Sequence, residues 1–153
     1  MRSPLLLAGA ALLCACLTVD TPLPEDHPSN PASESYAAST GVDISKMTKL
    51  PNGVYYLDVT GGDGPPLSEK RLVLLTYAAM LPNGFVFLRA ETQQQIDLRS
   101  VLSGFADGVV GMKAGGSRKI VVPSPLAYGP SGAPPLGVPS NSTVVYDVSL
   151  ISF

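Results

Sequence analysis

The sequence predicts an α+β domain in which a curved antiparallel half-sheet of about five strands wraps one short helix. Three observations predict it. Short β-rich runs alternate with Gly and Pro punctuation, a single segment has helical spacing, and the 153 residues suit one domain with a tail.

Along the chain, the first strand is expected at 54–59, where aromatic and β-branched residues gather, and the second at 71–77, an aliphatic run. A shorter strand follows at 84–87, and the polar stretch 89–95, with Gln93-Gln94-Gln95, reads as a loop. Leu102, Phe105, Val109 and Met112 fall at i, i+3, i+7 and i+10, near one face of a helix of about three turns. Ser100 or Ser103 can cap its start and Gly111 or the Gly115-Gly116 pair its end. Gly104 and Gly108 weaken it as an isolated helix, so tertiary packing must hold it. A short strand at 118–122 and a strongly β-forming run at 143–151 complete the set. The Gly-rich segments 61–64 and 114–116 do not lead from a strand directly into a helix, so they read as turns rather than phosphate loops.

The folded part is expected at 47–153, preceded by two segments of different composition. Residues 1–15 read as an export leader: Arg2 gives a positive start, and the apolar run 5–13 is too short to span a bilayer. The leader ends Leu13-Cys14-Ala15-Cys16, which resembles the bacterial lipobox and marks Cys16 as the lipid acceptor. The alternatives are an ordinary secretory leader cut after Ala15, or a short apolar segment without targeting value. Residues 16–46 read as the lipidated cysteine and a disordered tether, since Pro22, Pro24, Pro28 and Pro31 alternate with polar residues. As a flexible coil, it would hold the domain about 30 Å from the lipid. The expected location is the bacterial cell envelope, with Leu17 after the cysteine implying the outer membrane, facing the periplasm, where two membranes exist.

Composition then excludes several chemistries. Cleavage before Cys16 leaves no other thiol in the mature chain, which removes disulfides, cysteine nucleophiles and cysteine metal sites. Loss of Arg2 turns ten basic against twelve acidic residues into nine against twelve, a net charge of −3 without a basic patch for nucleic acid. His27, the single histidine, lies in the tether, so a Ser-His hydrolase site or an imidazole metal site in the domain lacks its usual residue. No metal and no cofactor are expected.

Three motifs carry a family resemblance. Leu102-Ser103-Gly104-Phe105-Ala106-Asp107-Gly108-Val109, Gly111-Met112-Lys113-Ala114-Gly115-Gly116 and Leu126-Ala127-Tyr128-Gly129 follow one another in the order and spacing of FKBP-type peptidyl-prolyl isomerases. The resemblance runs over about 52–153 and includes Tyr77-Ala78-Ala79-Met80-Leu81, Asn83-Gly84, Phe87, and Val138-Pro139-Ser140-Asn141-Ser142-Thr143 before the last strand. It implies rotation about the peptide bond before proline, which has a barrier of about 18–20 kcal/mol. Such a reaction breaks no bond and needs an apolar cup for the proline ring with polar groups at the twisted amide.

Carried over by position, the resemblance implies a cleft with Tyr77 and Phe87 as walls, Phe105 as floor and Tyr128 as a donor to a ligand carbonyl. Val101 and Leu102 stand at the helix entrance, and Ile96, Val138 and Tyr146 complete the substrate surface. For each aromatic the plain alternative is core packing. Tyr128 differs, because it sits in a Pro- and Gly-loaded stretch suited to a flap.

The departures bear on activity. The family's acidic residue after the wall phenylalanine is Leu88 here, its helix tryptophan is Phe105, its second wall phenylalanine is Ile96 and its last-strand phenylalanine is Tyr146. A hydrogen bond to a charged group contributes about 1.5–3 kcal/mol, or roughly ten- to a hundredfold in rate, so weakened isomerase activity is expected. Proline-containing polypeptides, above all unfolded exported proteins, are the implied partners. The alternative is a non-catalytic prolyl-peptide-binding or chaperone module using the same cleft.

Overall fold

The computed structural model describes residues 30–153; the leader, Cys16 and His27 lie outside the described residues. Six strands form one antiparallel sheet: β1 (Thr48–Lys49), β2 (Tyr55–Thr60), β3 (Leu72–Met80), β4 (Val86–Asp97), β5 (Ser117–Val122) and β6 (Val144–Ser152), in the order β1-β2-β5-β6-β3-β4. The one α-helix among the described residues, α1 (Ser103–Val109), lies on one face. The expected half-sheet around a short helix is therefore present, and the strand beyond five is the two-residue β1 paired with β2.

Strand periodicity sorts the core. In β6, Val144, Tyr146, Val148 and Leu150 join the helix-side cluster with Val73, Leu75, Phe105, Val109 and Ile120, whereas Val145 faces the other way. On that outer face, Val145, Tyr55, Met80 and Val121 form a second apolar cluster. Alternation at period two gives each face of the sheet its own apolar set.

The helix is two turns rather than three, and neither serine caps it. Leu102 is its N-cap with no side-chain hydrogen bond, while Ser100 Oγ donates to the Asp97 carbonyl at 2.9 Å. The other end is closed from outside. Arg118 donates to the carbonyls of Gly108 at 2.9 Å and Val110 at 3.1 Å, and Gly111 leaves the helix at a φ of 89°. Asp58 grips the same guanidinium at 2.6 and 3.1 Å, and the Tyr56 ring lies 4.2 Å from it. The two glycines that weaken α1 in isolation are what let it seat. A methyl group on Gly104 would collide with Val122, and one on Gly108 with Ile120.

Two further expectations are corrected. The expected strand at 84–87 and loop at 89–95 are instead one 12-residue edge strand, β4. Its polar residues have weak strand propensity, but pairing with β3 overrides it. Leu75 pairs with Gln94 and Tyr77 with Ala90, so 91–93 form a bulge at the place read as a loop.

The second correction concerns the part of the expected tether at 30–46. Two 3-10 turns, Ala38–Thr40 and Ile44–Lys46, run across the outer face, and Tyr36, Val42, Ile44 and Met47 pack on its apolar cluster. Thr40 is buried and donates to the Ala37 carbonyl at 2.7 Å. Apolar residues spaced singly among polar ones cannot make a core, but they can complete one already formed by the sheet. The Gly-rich segments behave as turns, Asp63 N–H donating to the Ala114 carbonyl at 2.9 Å.

Candidate functional site

On the helix side, the edge of the sheet and the start of α1 enclose a cavity of about 300 Å³. Each element contributes for a reason of its own. β3 turns Tyr77 inward, β4 supplies Leu88 and Ile96, and the chain entering α1 supplies Ser100, Val101 and Leu102. From α1 comes Phe105, 4% exposed, which forms the floor because the close approach permitted by Gly104 and Gly108 drives the helix into the sheet. Tyr146 enters from β6 with its ring centroid 4.8 Å from that of Phe105, and Tyr77 stands 5.8 Å away on the other side. Such tilted ring pairs fix the aromatic walls relative to one another.

Tyr128 comes from the long connection between β5 and β6. This flap is folded by three 3-10 turns, Ser124–Leu126, Gly129–Ser131 and Pro134–Leu136, and by the Asn141 N–H donating to the Gly129 carbonyl at 2.9 Å. Phe87 backs the flap tyrosine edge-on, centroids 6.0 Å apart at 73°.

The cavity is lined without a charged side chain; ion pairs such as Lys70 with Asp107 at 2.6 Å and Arg99 with Asp97 at 2.7 Å stand outside it. Its polar equipment is hydroxyl groups. Partial burial pushes the Tyr128 phenol up, with Tyr77 adding to the effect. Burial pushes Tyr146 further up, followed by the neighbouring Tyr128 and Tyr77 phenols. These groups therefore stay protonated and can donate at ordinary pH. Among the described residues no group of three or more His, Cys, Asp or Glu is placed to hold a metal. An apolar cup with neutral donors suits a five-membered ring and a polar amide, and it offers nothing to a bond-breaking reaction that needs a nucleophile.

Residues 64–151 match the family model described as FKBP-type peptidyl-prolyl cis-trans isomerase. The chain belongs to that family. It is 41% identical over 111 residues to FK506-binding protein 4 of Rhizopus delemar, covering 70% of this chain and 29% of the relative. It is 34% identical over 121 residues to the FKBP-type peptidyl-prolyl cis-trans isomerase FkpA of Escherichia coli K12, covering 77% of this chain and 42% of that protein. The chain thus spans less than half the length of these two relatives. Among solved structures, it superposes on a peptidyl-prolyl cis-trans isomerase from Pseudomonas syringae with a TM-score of 0.66 and 29% identity, covering 75% of this chain and 85% of the other.

Within this FKBP domain the structure gathers Tyr77, Leu88, Ile96, Val101, Leu102, Phe105, Tyr128 and Tyr146 around one cavity. Phe87 and Val138 are placed differently from the expectation. Neither lines the cavity: Phe87 supports Tyr128, and Val138 is buried inside the flap, exchanging hydrogen bonds with Ala133 at 2.9 and 3.1 Å. Their apolar side chains satisfy the flap's own packing, which leaves the tyrosine at its surface. Ser100 lines the cavity and was legible only as a possible helix cap. Its signal is weak, since a serine before a helix ordinarily reads as a cap. A wider depression of about 800 Å³ on the outer face is bordered by Arg89, Glu91, Arg118 and Asp147 and lacks the aromatic enclosure.

Proposed function

We propose that this chain is a peptidyl-prolyl cis-trans isomerase that assists the folding of exported envelope proteins, with activity reduced by Leu88. The observation that carries the reading is the uncharged cavity floored by Phe105 and walled by Tyr77, Tyr128 and Tyr146. The isomerase activity for which the Escherichia coli relative is named supports the reaction. The substrate class is proline-containing polypeptide.

The mechanism follows from the cup. The proline ring leaves water for the face of Phe105, and the flap hydroxyl of Tyr128 holds the backbone carbonyl of the bound peptide. Burial removes water from the amide whose bond must turn. Water hydrogen-bonded to the amide carbonyl favours the planar, charge-separated resonance form, so its exclusion lowers the cost of twisting. Leu88, 36% exposed at the cavity, adds apolar surface where the family pattern has a carboxylate.

The envelope role rests on the leader and on Cys16 as the acylated anchor. Segment 17–29 is then the length of chain between the lipid and the domain. A second reading, a prolyl-peptide-binding or chaperone module without turnover, is favoured by Leu88 alone.

The test is cis/trans exchange of a prolyl tetrapeptide measured by NMR with the purified full-length chain, beside Leu88→Asp. Acceleration by the native chain is expected; peptide binding without acceleration would leave only the chaperone reading. Radiolabelled palmitate incorporation that survives Cys16→Ala would sink the anchor.

A further inference from the structure

Tyr146 stands apart from the other cavity tyrosines. It is 4% exposed, whereas Tyr77 and Tyr128 are only partly buried. Its ring is satisfied by Phe105 at 4.8 Å, but among the described residues its hydroxyl has no protein hydrogen-bond partner while the side chain borders the cavity. The hydroxyl is not among the fully buried atoms that lack a partner, so it opens on the cavity, where water satisfies it. A peptide that displaces this water has to supply the partner in its place.

The chemistry of the twisted amide says which partner that is. In the planar amide, the nitrogen lone pair is delocalised into the carbonyl and accepts no hydrogen bond. At the midpoint of rotation, conjugation is lost and the lone pair localises on nitrogen, which becomes an acceptor. A donor at nitrogen therefore binds the twisted form better than either planar isomer, which is the condition for acceleration. A donor at the carbonyl oxygen stabilises the planar form instead. Burial, together with Tyr128 and Tyr77, keeps the Tyr146 phenol neutral and able to donate.

We propose that the Tyr146 hydroxyl donates a hydrogen bond to the prolyl imide nitrogen as the bond rotates, supplying at the cavity wall the polar function that Leu88 does not. The assignment rests on the prolyl-isomerase reading of this cavity. Tyr146 is on this view a catalytic residue, and Tyr128 at the mouth holds the peptide.

The experiment is Tyr146→Phe in the full-length chain, with three readouts: NMR exchange rate at saturating prolyl tetrapeptide, peptide Kd by titration, and Tm. The expected result is at least a tenfold fall in the saturated exchange rate, a Kd changed less than about twofold, and a Tm equal to or above the parent's. A second variant with 3-fluorotyrosine at 146 retains the donor and is expected to retain the rate. Full activity in Tyr146→Phe overturns the assignment while leaving the isomerase reading intact. So does a rate loss accompanied by a lower Tm and a peptide Kd weakened in proportion, which is the signature of a structural hydroxyl. Absence of exchange in the parent chain overturns the isomerase reading and this assignment together.

Discussion

Leu88 and the three tyrosines set the chemistry of the cavity one side chain at a time. At Leu88→Asp a carboxylate enters an uncharged cavity beside Tyr77 and accepts from a phenol, strengthening the polar field on the amide. The expected gain is about ten- to a hundredfold in exchange rate, from the 1.5–3 kcal/mol of a charged hydrogen bond. The same substitution brings a pH dependence that the native chain lacks. No carboxylate lines the native cavity, and the raised Tyr128 and Tyr146 phenols remain protonated above the pH where free tyrosine ionises. The native exchange rate is therefore expected to be level between about pH 5 and pH 9. Leu88→Asp gains an acid limb, losing rate as pH falls through the carboxyl range, because the protonated acid no longer accepts. A pH series of NMR exchange spectra on both chains checks the sign. An acid limb in the native profile would mean that a carboxylate reaches the substrate.

At the scale of elements, α1 shows how local propensity and tertiary need part company. Replacing Gly104 by Ala gains about 1 kcal/mol of helix propensity. Yet the added methyl meets Val122, fixed in the core, and Leu126, packed against it. Overpacking of this kind costs about 1–3 kcal/mol, so Gly104→Ala is expected to be destabilising on balance and to widen the floor by pushing Phe105 outward. Urea unfolding gives the first quantity and peptide affinity the second; a stabilised variant would contradict the close seating of the helix. The glycines had read as a weakness in the sequence, and correctly so for α1 alone. What the sequence pattern lacked was the distance to β5. β4 is the converse case. Its Gln-rich stretch carries no strand signal because its order comes from Leu72, Val73, Leu74 and Leu75 on the partner strand, whose register with 94–97 no local pattern encodes. The cavity residues were legible because they recur at motif spacing; the inward turn of Phe87 and Val138 toward the flap was not, since an apolar residue reads alike whether it lines a cavity or backs it.

At the scale of the described molecule, both faces of the sheet carry apolar cover, and on the outer face the part over Tyr55, Met80, Val121 and Val145 comes from 30–46. This segment holds the domain at two points that are far apart in sequence and adjacent in space. Ala37 N–H donates to the Pro82 carbonyl at 2.8 Å, at the turn between β3 and β4, and Glu34 accepts from Thr143 Oγ1 at 2.9 Å, just before β6. Gly84 is part of the same grip, since a methyl there would collide with Ser39 Oγ. β3, β4 and β6 carry Tyr77, Leu88, Ile96 and Tyr146, so the strap braces from behind the strands that wall the cavity in front. Starting the chain at residue 47 removes Tyr36, Val42 and Ile44 from the outer cluster. Uncovering the apolar residues on which these three partly buried side chains pack is expected to cost about 2–4 kcal/mol. The expected outcome is a Tm about 8–15 °C below that of a chain starting at residue 30, by the scaling for a domain of roughly a hundred residues. Hydrogen exchange adds a spatial check. Amides around Pro82 to Leu88 should lose protection in the shorter chain more than those of β2 and β5, and prolyl peptide should bind more weakly. Equal stability and equal protection in the two chains would show that residues 30–46 lie on the sheet without bracing it.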